Sequence, residues 1–401
     1  MLLESQLSEV LDSQNQSFLN KKTGLIREKL SDLTPVDNFV LIITGVRRCG
    51  KSTLLYQLMQ KNYHDVLFLS FEDIRLAGFE TDDFIRLLSE IKKREKRTLF
   101  FDEIQILTHW ELFVRQLLDE EYKIVITGSN ATLLSRELGS KLTGRHLSTE
   151  LFPFSYHEFL DFKNLPDNSA SLTEYMQKGG FPEYLKSDED GMLNQLLDDI
   201  LNRDIAIRYG VRDVTMLKKL AVYLISNIGK PVSGNKLKDM FGIRSTTTIL
   251  EFFSYLENSY VIQFLSKFSY AIKNQIRNPK KIYAIDLGLF SQTSIVFSDE
   301  KGRRLENLVY LHLRKTEKEV YYFQEKKECD FVVVRKGKAA QLLQVCYELT
   351  TENLERETSG LLAAMDFFNM DEGKIITFNQ TETFNKNGKV ISVIPAWQFV
   401  G

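Results

Sequence analysis

The stretch Gly45-Val46-Arg47-Arg48-Cys49-Gly50-Lys51-Ser52-Thr53 sets two glycines five residues apart, then a lysine and two hydroxyls. This is the spacing G-x-x-x-x-G-K-[ST], whose chemistry is the cradling of phosphate. The glycines let the backbone come close to phosphate oxygens. Backbone amides and the start of the next helix supply partial positive charge. Lys51 is expected to reach the β- and γ-phosphates and the Ser52 hydroxyl to ligate Mg²⁺, so ATP and Mg²⁺ are the expected cofactors.

Two further stretches supply the groups that a phosphate cradle needs for hydrolysis. "RTLFFDEIQ" (97–105) is an apolar run ending in Asp102 and Glu103. Asp102 is expected to hold the metal and Glu103 to polarise the attacking water. "YKIVITGSN" (122–130) ends in small polar residues, of which Asn130, or Ser129, is expected to position that water. Arg145 follows Gly144 fifteen residues later, placed to reach the γ-phosphate in a neighbouring subunit. That placement implies a homo-oligomer.

These groups need a scaffold that brings them to one place. "FVLIITG" (39–45) is a continuous apolar run, as a strand buried on both faces requires. "KSTLLYQLMQ" repeats its leucines at helical spacing, so the cradle lies between a strand and a helix. An α/β core built on a parallel sheet follows from this pattern. The segments "GVRRCGKST", "LFFDEIQ", "ITGSN", "LTGR" with "LFPFSYHEFL", and "KGGFPEYL" together resemble the bacterial and archaeal AAA+ ATPases with a DUF4143-type C-terminal region. The resemblance spans about residues 35–400. It implies a Walker A motif at Gly45–Thr53, a Walker B motif at Asp102 and Glu103, and a sensor at Asn130.

The remaining chain divides by pattern. Residues 1–37 are expected to be a helical segment, 38–155 the P-loop core, and 156–215 a helical lid or connector with a turn at Gly179-Gly180 and Pro182. Residues 216–298 read as three helices and a β-hairpin, the order of a winged helix-turn-helix. Between 216 and 283 there are eleven Lys and Arg against three Asp and Glu. Arg244, Ser245, Thr246 and Thr247 fall at the start of the third helix, and Lys273, Arg277, Lys280 and Lys281 on the wing. Duplex DNA is therefore an expected partner. Residues 299–401 resemble a restriction-endonuclease-like α/β core. Glu306 and Asp330 take two acidic positions, but Gln344-Val345-Cys346 stands where an acid and a lysine are needed, so no cleavage is expected.

Composition sets the outer limits. The 401 residues are 43% hydrophobic and 26% charged, with a net charge of −2, so any attraction to nucleic acid is local. Cys49, Cys329 and Cys346 have no metal-ligand or disulfide spacing. There is no run of eighteen apolar residues, and "MLLESQLSEV" lacks the pattern of a signal peptide, so a cytoplasmic protein without membrane contact is expected. The functional expectation is an ATP-hydrolysing switch or motor acting with DNA. The alternatives are a nucleotide-gated protein-interaction switch and, less favoured, an ATP-dependent nuclease.

Overall fold

A computed structural model describes residues 2–34, 36–63, 65–134, 142, 144–295 and 300–401. Thr143 of the LTGR stretch and much of the approach to it lie outside the described residues. The chain divides into two compact units, Met1–Phe152 with Asn258–Tyr260, and Pro153–Glu257 with Val261–Gly401. The N-terminal helical segment belongs with the P-loop core.

The first unit is a five-stranded parallel sheet in the order β2-β3-β4-β1-β5. Its strands are β1 (Val40–Thr44), β2 (Val66–Ser70), β3 (Thr98–Asp102), β4 (Lys123–Gly128) and β5 (His146–Glu150). Every residue of β1 and β3 is buried, which is why both read as unbroken apolar runs. The core beneath joins Val40, Ile42, Phe101, Ile104 and Val114. All the carboxyl ends point to one edge. Registers Thr44↔Gly128 and Asp102↔Thr127 bring the ends of β1, β3 and β4 side by side there.

Helix α1 (Glu4–Leu19) closes the open side of the sheet. The Asn15 amide accepts from Phe68 N (2.8 Å) and donates to Phe68 O (3.0 Å). The Gln14 amide does the same for Ser70, at 2.7 and 3.1 Å. Two side chains thus replace the missing neighbour strand of β2 and cover an edge that would otherwise pair with another chain. Leu7, Val10 and Leu11 of α1 join the same core.

The second unit contains two sheets. The smaller is antiparallel, in the order β6-β8-β7: β6 (Pro231–Val232), β7 (Ile262–Leu265) and β8 (Lys280–Ala284). Helices Val214–Ile225, Gly234–Phe241 and Thr246–Asn258 precede β7, and a short helix, Ile272–Arg277, lies between β7 and β8. The larger sheet is mixed, in the order β13-β14-β12-β11-β10-β9. Its strands are β9 (Glu319–Gln324), β10 (Glu328–Arg335), β11 (Lys338–Val345), β12 (Glu372–Thr377), β13 (Glu382–Lys386) and β14 (Lys389–Pro395). Helices Lys301–Thr316 and Leu354–Phe368 accompany it. β13 has no counterpart in the sequence reading. It is a mostly exposed edge strand, so it carries no apolar alternation.

Residues 156–215 are mostly helical. Their glycine turn has a specific cause. Asp286 accepts from Gly180 N (2.6 Å) and Leu289 N (2.9 Å), and a Cβ on Gly179 would come within 2.2 Å of the Asp286 carboxylate.

Candidate active site

At the carboxyl edge of the first sheet, β1 runs into the loop 45–50 and then helix α2 (Lys51–Asn62). Gly45 must be glycine, because a Cβ there would lie 2.1 Å from Leu151 O. Gly50 has φ 101° and caps α2, a conformation other residues resist. Helix α2 begins at Lys51, so its N-terminal end, where a helix favours anions, adjoins the loop. Within the loop Val46 and Cys49 are buried, Arg48 is exposed, and Arg47 pairs with Glu72 at 2.7 Å. Burial pushes the Cys49 thiol up, so it packs as a small apolar residue and donates to Leu151 O.

Lys51 is buried and folded onto its own loop. Its ammonium donates to Gly45 O (3.0 Å) and Val46 O (3.2 Å), and lies 3.5 Å from Glu103 Oε1. The Ser52 hydroxyl is 3.1 Å from Asp102 Oδ2, and Thr127 donates to the other Asp102 oxygen. Glu103 has φ 55°, a strained left-handed backbone that turns its side chain toward β4. There its Oε2 accepts from Ser129 N (3.1 Å) and Ser129 Oγ (3.0 Å) and from Gln105.

The two adjacent carboxylates are driven apart electrostatically. Burial, then the charge of Glu103, raises Asp102 above the usual carboxylate range. Burial pushes Glu103 up as well, but Lys51, Gln105 and Ser129 outweigh it and hold Glu103 below that range. Beside Ser52 and Asp102 opens a cavity of about 600 Å³, also lined by Ser13, Ser17, Lys21 and Ser70. Burial lowers the Lys21 amine, against the pull of Asp102.

These groups fit a Mg²⁺-nucleotide. Ser52 and Asp102 supply the hard oxygen donors that Mg²⁺ takes, within hydrogen-bond distance of each other. Among the described residues no group of three or more His, Cys, Asp or Glu is placed to hold a metal ion.

The structure therefore brings together Gly45–Thr53, Asp102, Glu103 and the end of β4. Asn130 is fully buried there, with its Oδ1 accepting from Thr132 N at 2.7 Å. Arg145 lies elsewhere. Its carbonyl accepts from Val40 N, so it sits at the amino end of β1, about 16 Å of strand from the loop. It pairs with Asp119 at 2.8 Å and does not join the Lys51 of its own chain. Sequence reasoning missed Thr127, the role of Ser129 as the holder of Glu103, and Arg27. Arg27 is buried and donates to Cys49 O (2.7 Å) and Phe152 O (2.8 Å), bracing the loop from behind. Gln57 anchors it by accepting from Arg27 N and donating to Thr23 O and Leu25 O.

In the second unit Arg244 and Ser245 are exposed, and Thr246 opens its helix with its hydroxyl on Asn235. Lys280 is half-buried with its ammonium near the Phe264 ring. Lys281 is the exception. Only 2% exposed, it points inward among carboxylates and has no face toward solvent, so the expected DNA contact at this residue is withdrawn.

The parallel sheet with its phosphate loop and paired acidic residues defines a P-loop ATPase core of the AAA type. Residues 37–160 match the AAA domain family, and residues 169–300 match a domain of unknown function, DUF8612. The uncharacterized protein MJ1544 of Methanocaldococcus jannaschii is 34% identical over 94% of this chain and 92% of its own length. An uncharacterized protein of Haemophilus influenzae is 32% identical over 82% of this chain and 87% of its own. The chain belongs to one family with these proteins. Among the described residues no helix is long and apolar enough to cross a membrane.

Proposed function

We propose that this chain is a Mg²⁺-dependent ATPase working as a nucleotide-driven switch, and that residues 216–298 form a winged helix that acts on duplex DNA. One observation carries the ATPase reading: Ser52 stands 3.1 Å from Asp102, and Lys51 3.5 Å from Glu103, at one sheet edge. In this reading Lys51 leaves the loop carbonyls for the β- and γ-phosphates, while Ser52 and Asp102 hold Mg²⁺. Held there, Mg²⁺ would supply positive charge against the phosphate oxygens. Glu103, fixed by Ser129, takes the proton of the attacking water. Asn130 orients that water, and Arg145 serves the site of a neighbouring copy in a homo-oligomer.

The helix–strand order around β6, β7 and β8 supports the winged-helix reading. Exposed Arg244, Ser245 and Thr247 at one helix start support contact with phosphates and base edges. The tail sheet is proposed to keep a restriction-endonuclease-like fold without cleavage. Free, buried Cys49, Cys329 and Cys346 support a reducing, cytoplasmic setting. A protein-interaction switch is the second reading. Tyr270, Ile272 and Ile276, each more than 70% exposed, favour it.

Duplex binding measured against salt separates the two. For DNA, log affinity should fall with log salt by roughly 0.9 per phosphate contacted, and Arg244→Glu with Lys280→Glu should flatten that slope by about 1 to 2. Absent or salt-insensitive binding moves the winged helix to a protein partner and leaves the ATPase reading standing. That reading is tested separately by ATP turnover with and without duplex.

A further inference from the structure

The second unit buries a charge cluster that neither the ATPase chemistry nor the DNA reading uses. Lys281 enters it from β8. Its ammonium lies 2.9 Å from Glu306 Oε1, 2.8 Å from Glu328 Oε1 and 2.9 Å from Asp330 Oδ1. Lys281 is 2% exposed, and Tyr322 stands beside the ammonium. Two of the three acids are held by further donors. Tyr283 OH donates to Glu306 at 2.7 Å, and Val345 N donates to Asp330 Oδ2 at 2.9 Å. Glu306 comes from the 301–316 helix, Glu328 and Asp330 from β10, and Val345 from β11. The 301–316 helix and β10 thus converge on one nitrogen from β8, and β11 holds Asp330 in place.

We propose that Lys281 is the resident cation of this centre: its ammonium fills the position among Glu306, Glu328 and Asp330 that a divalent metal would need, leaving the tail sheet with a metal-free, ammonium-filled centre. Three features carry this. The ammonium donates to Glu306 and Asp330, each at 2.9 Å, and Glu328 Oε1 lies 2.8 Å away, so its charge is answered by the centre's own carboxylates. The carboxylate oxygens stand at ammonium distance, well beyond the 2.0–2.1 Å of Mg²⁺. Gln344, which occupies an acid position on β11, turns away and donates to Glu357 on the 354–368 helix. The same contacts tie the β6-β8-β7 sheet to the six-stranded sheet. Removing one partner of a largely buried ion cluster of this kind strongly destabilises a fold.

The test counts Mn²⁺ bound to the full chain without nucleotide, by electron paramagnetic resonance of the free ion. Lys281→Ala should bind one Mn²⁺ more than wild type, and Lys281→Ala with Asp330→Asn should lose it. If Lys281→Ala is unfolded alone, Mn²⁺ should restore its circular dichroism, and a chain that stays unfolded in Mn²⁺ counts against the proposal. No added Mn²⁺ in a folded Lys281→Ala chain overturns it. Wild-type Mn²⁺ binding lost in Asp330→Asn overturns it too, because the metal would then share the centre. Mn²⁺-dependent plasmid nicking by wild type that vanishes in Lys281→Ala would make the lysine a catalyst and also overturn it.

Discussion

Arg27→Met removes the brace behind the phosphate loop while keeping most of the side-chain volume. Arg27 is buried and holds Cys49 O at 2.7 Å and Phe152 O at 2.8 Å. Hydrogen bonds from a charged donor contribute about 1.5–3 kcal/mol each, so the two lost bonds amount to about 3–6 kcal/mol. Removing a buried guanidinium recovers part of its desolvation cost, which leaves a net loss of about 2–4 kcal/mol. For a unit of this size that lowers its unfolding midpoint by about 5–15 °C. The loop itself should loosen, because Cys49 directly precedes the capping Gly50. Thermal unfolding should show the lower midpoint, and a fluorescent ATP analogue should bind several-fold more weakly. Added nucleotide should recover part of the midpoint, since binding selects the ordered loop. An unchanged midpoint together with unchanged nucleotide affinity would refute the bracing role.

Two further outcomes are expected. Burial, aided by Lys315, pushes the His312 imidazole down to about 4. The unfolded chain takes up a proton near 6.5, so this contribution to stability is complete above pH 6.5. It is lost as pH falls toward 4, by about 3 kcal/mol. His312→Gln should flatten the denaturant midpoint over that window, and an unchanged slope would exclude His312 as its source. Separately, mixing Arg145→Ala subunits with Lys51→Ala subunits should restore ATP turnover above either alone. Stable mixed assemblies without recovery would remove Arg145 from the neighbour's site.

Strands β1, β3 and β4 of the core were legible because they are buried on both faces and read as apolar runs, and because loop chemistry fixes local spacing; β5, polar and largely exposed, was not. Lys51, Ser52, Asp102 and Glu103 meet where a parallel sheet had to bring them. Arg27 was not legible. It sits in an irregular stretch, and its contacts lie 22 and 125 residues away. The pairing of α1 with β2 was hidden for the same reason, since Asn15 and Gln14 look like ordinary surface amides. Thr127 reads as one more β-branched strand residue until Asp102 is placed beside it. Lys281 misled because β8 buries both faces from Lys281 to Ala284, so alternation gave no sign that one of two adjacent lysines turns inward.

The account rests on Glu103 as the group that activates water beside a Ser52–Asp102 metal site. Glu103→Gln keeps an oxygen for the Ser129 donors and loses only the base. Equilibrium ATP binding and single-turnover hydrolysis should be measured on that variant and on wild type. The account predicts ATP affinity within a few-fold of wild type and hydrolysis slowed by about 10²-fold or more, which is about 3 kcal/mol in the barrier. Hydrolysis by Glu103→Gln at the wild-type rate, or a wild-type chain that binds no ATP in Mg²⁺, would contradict it.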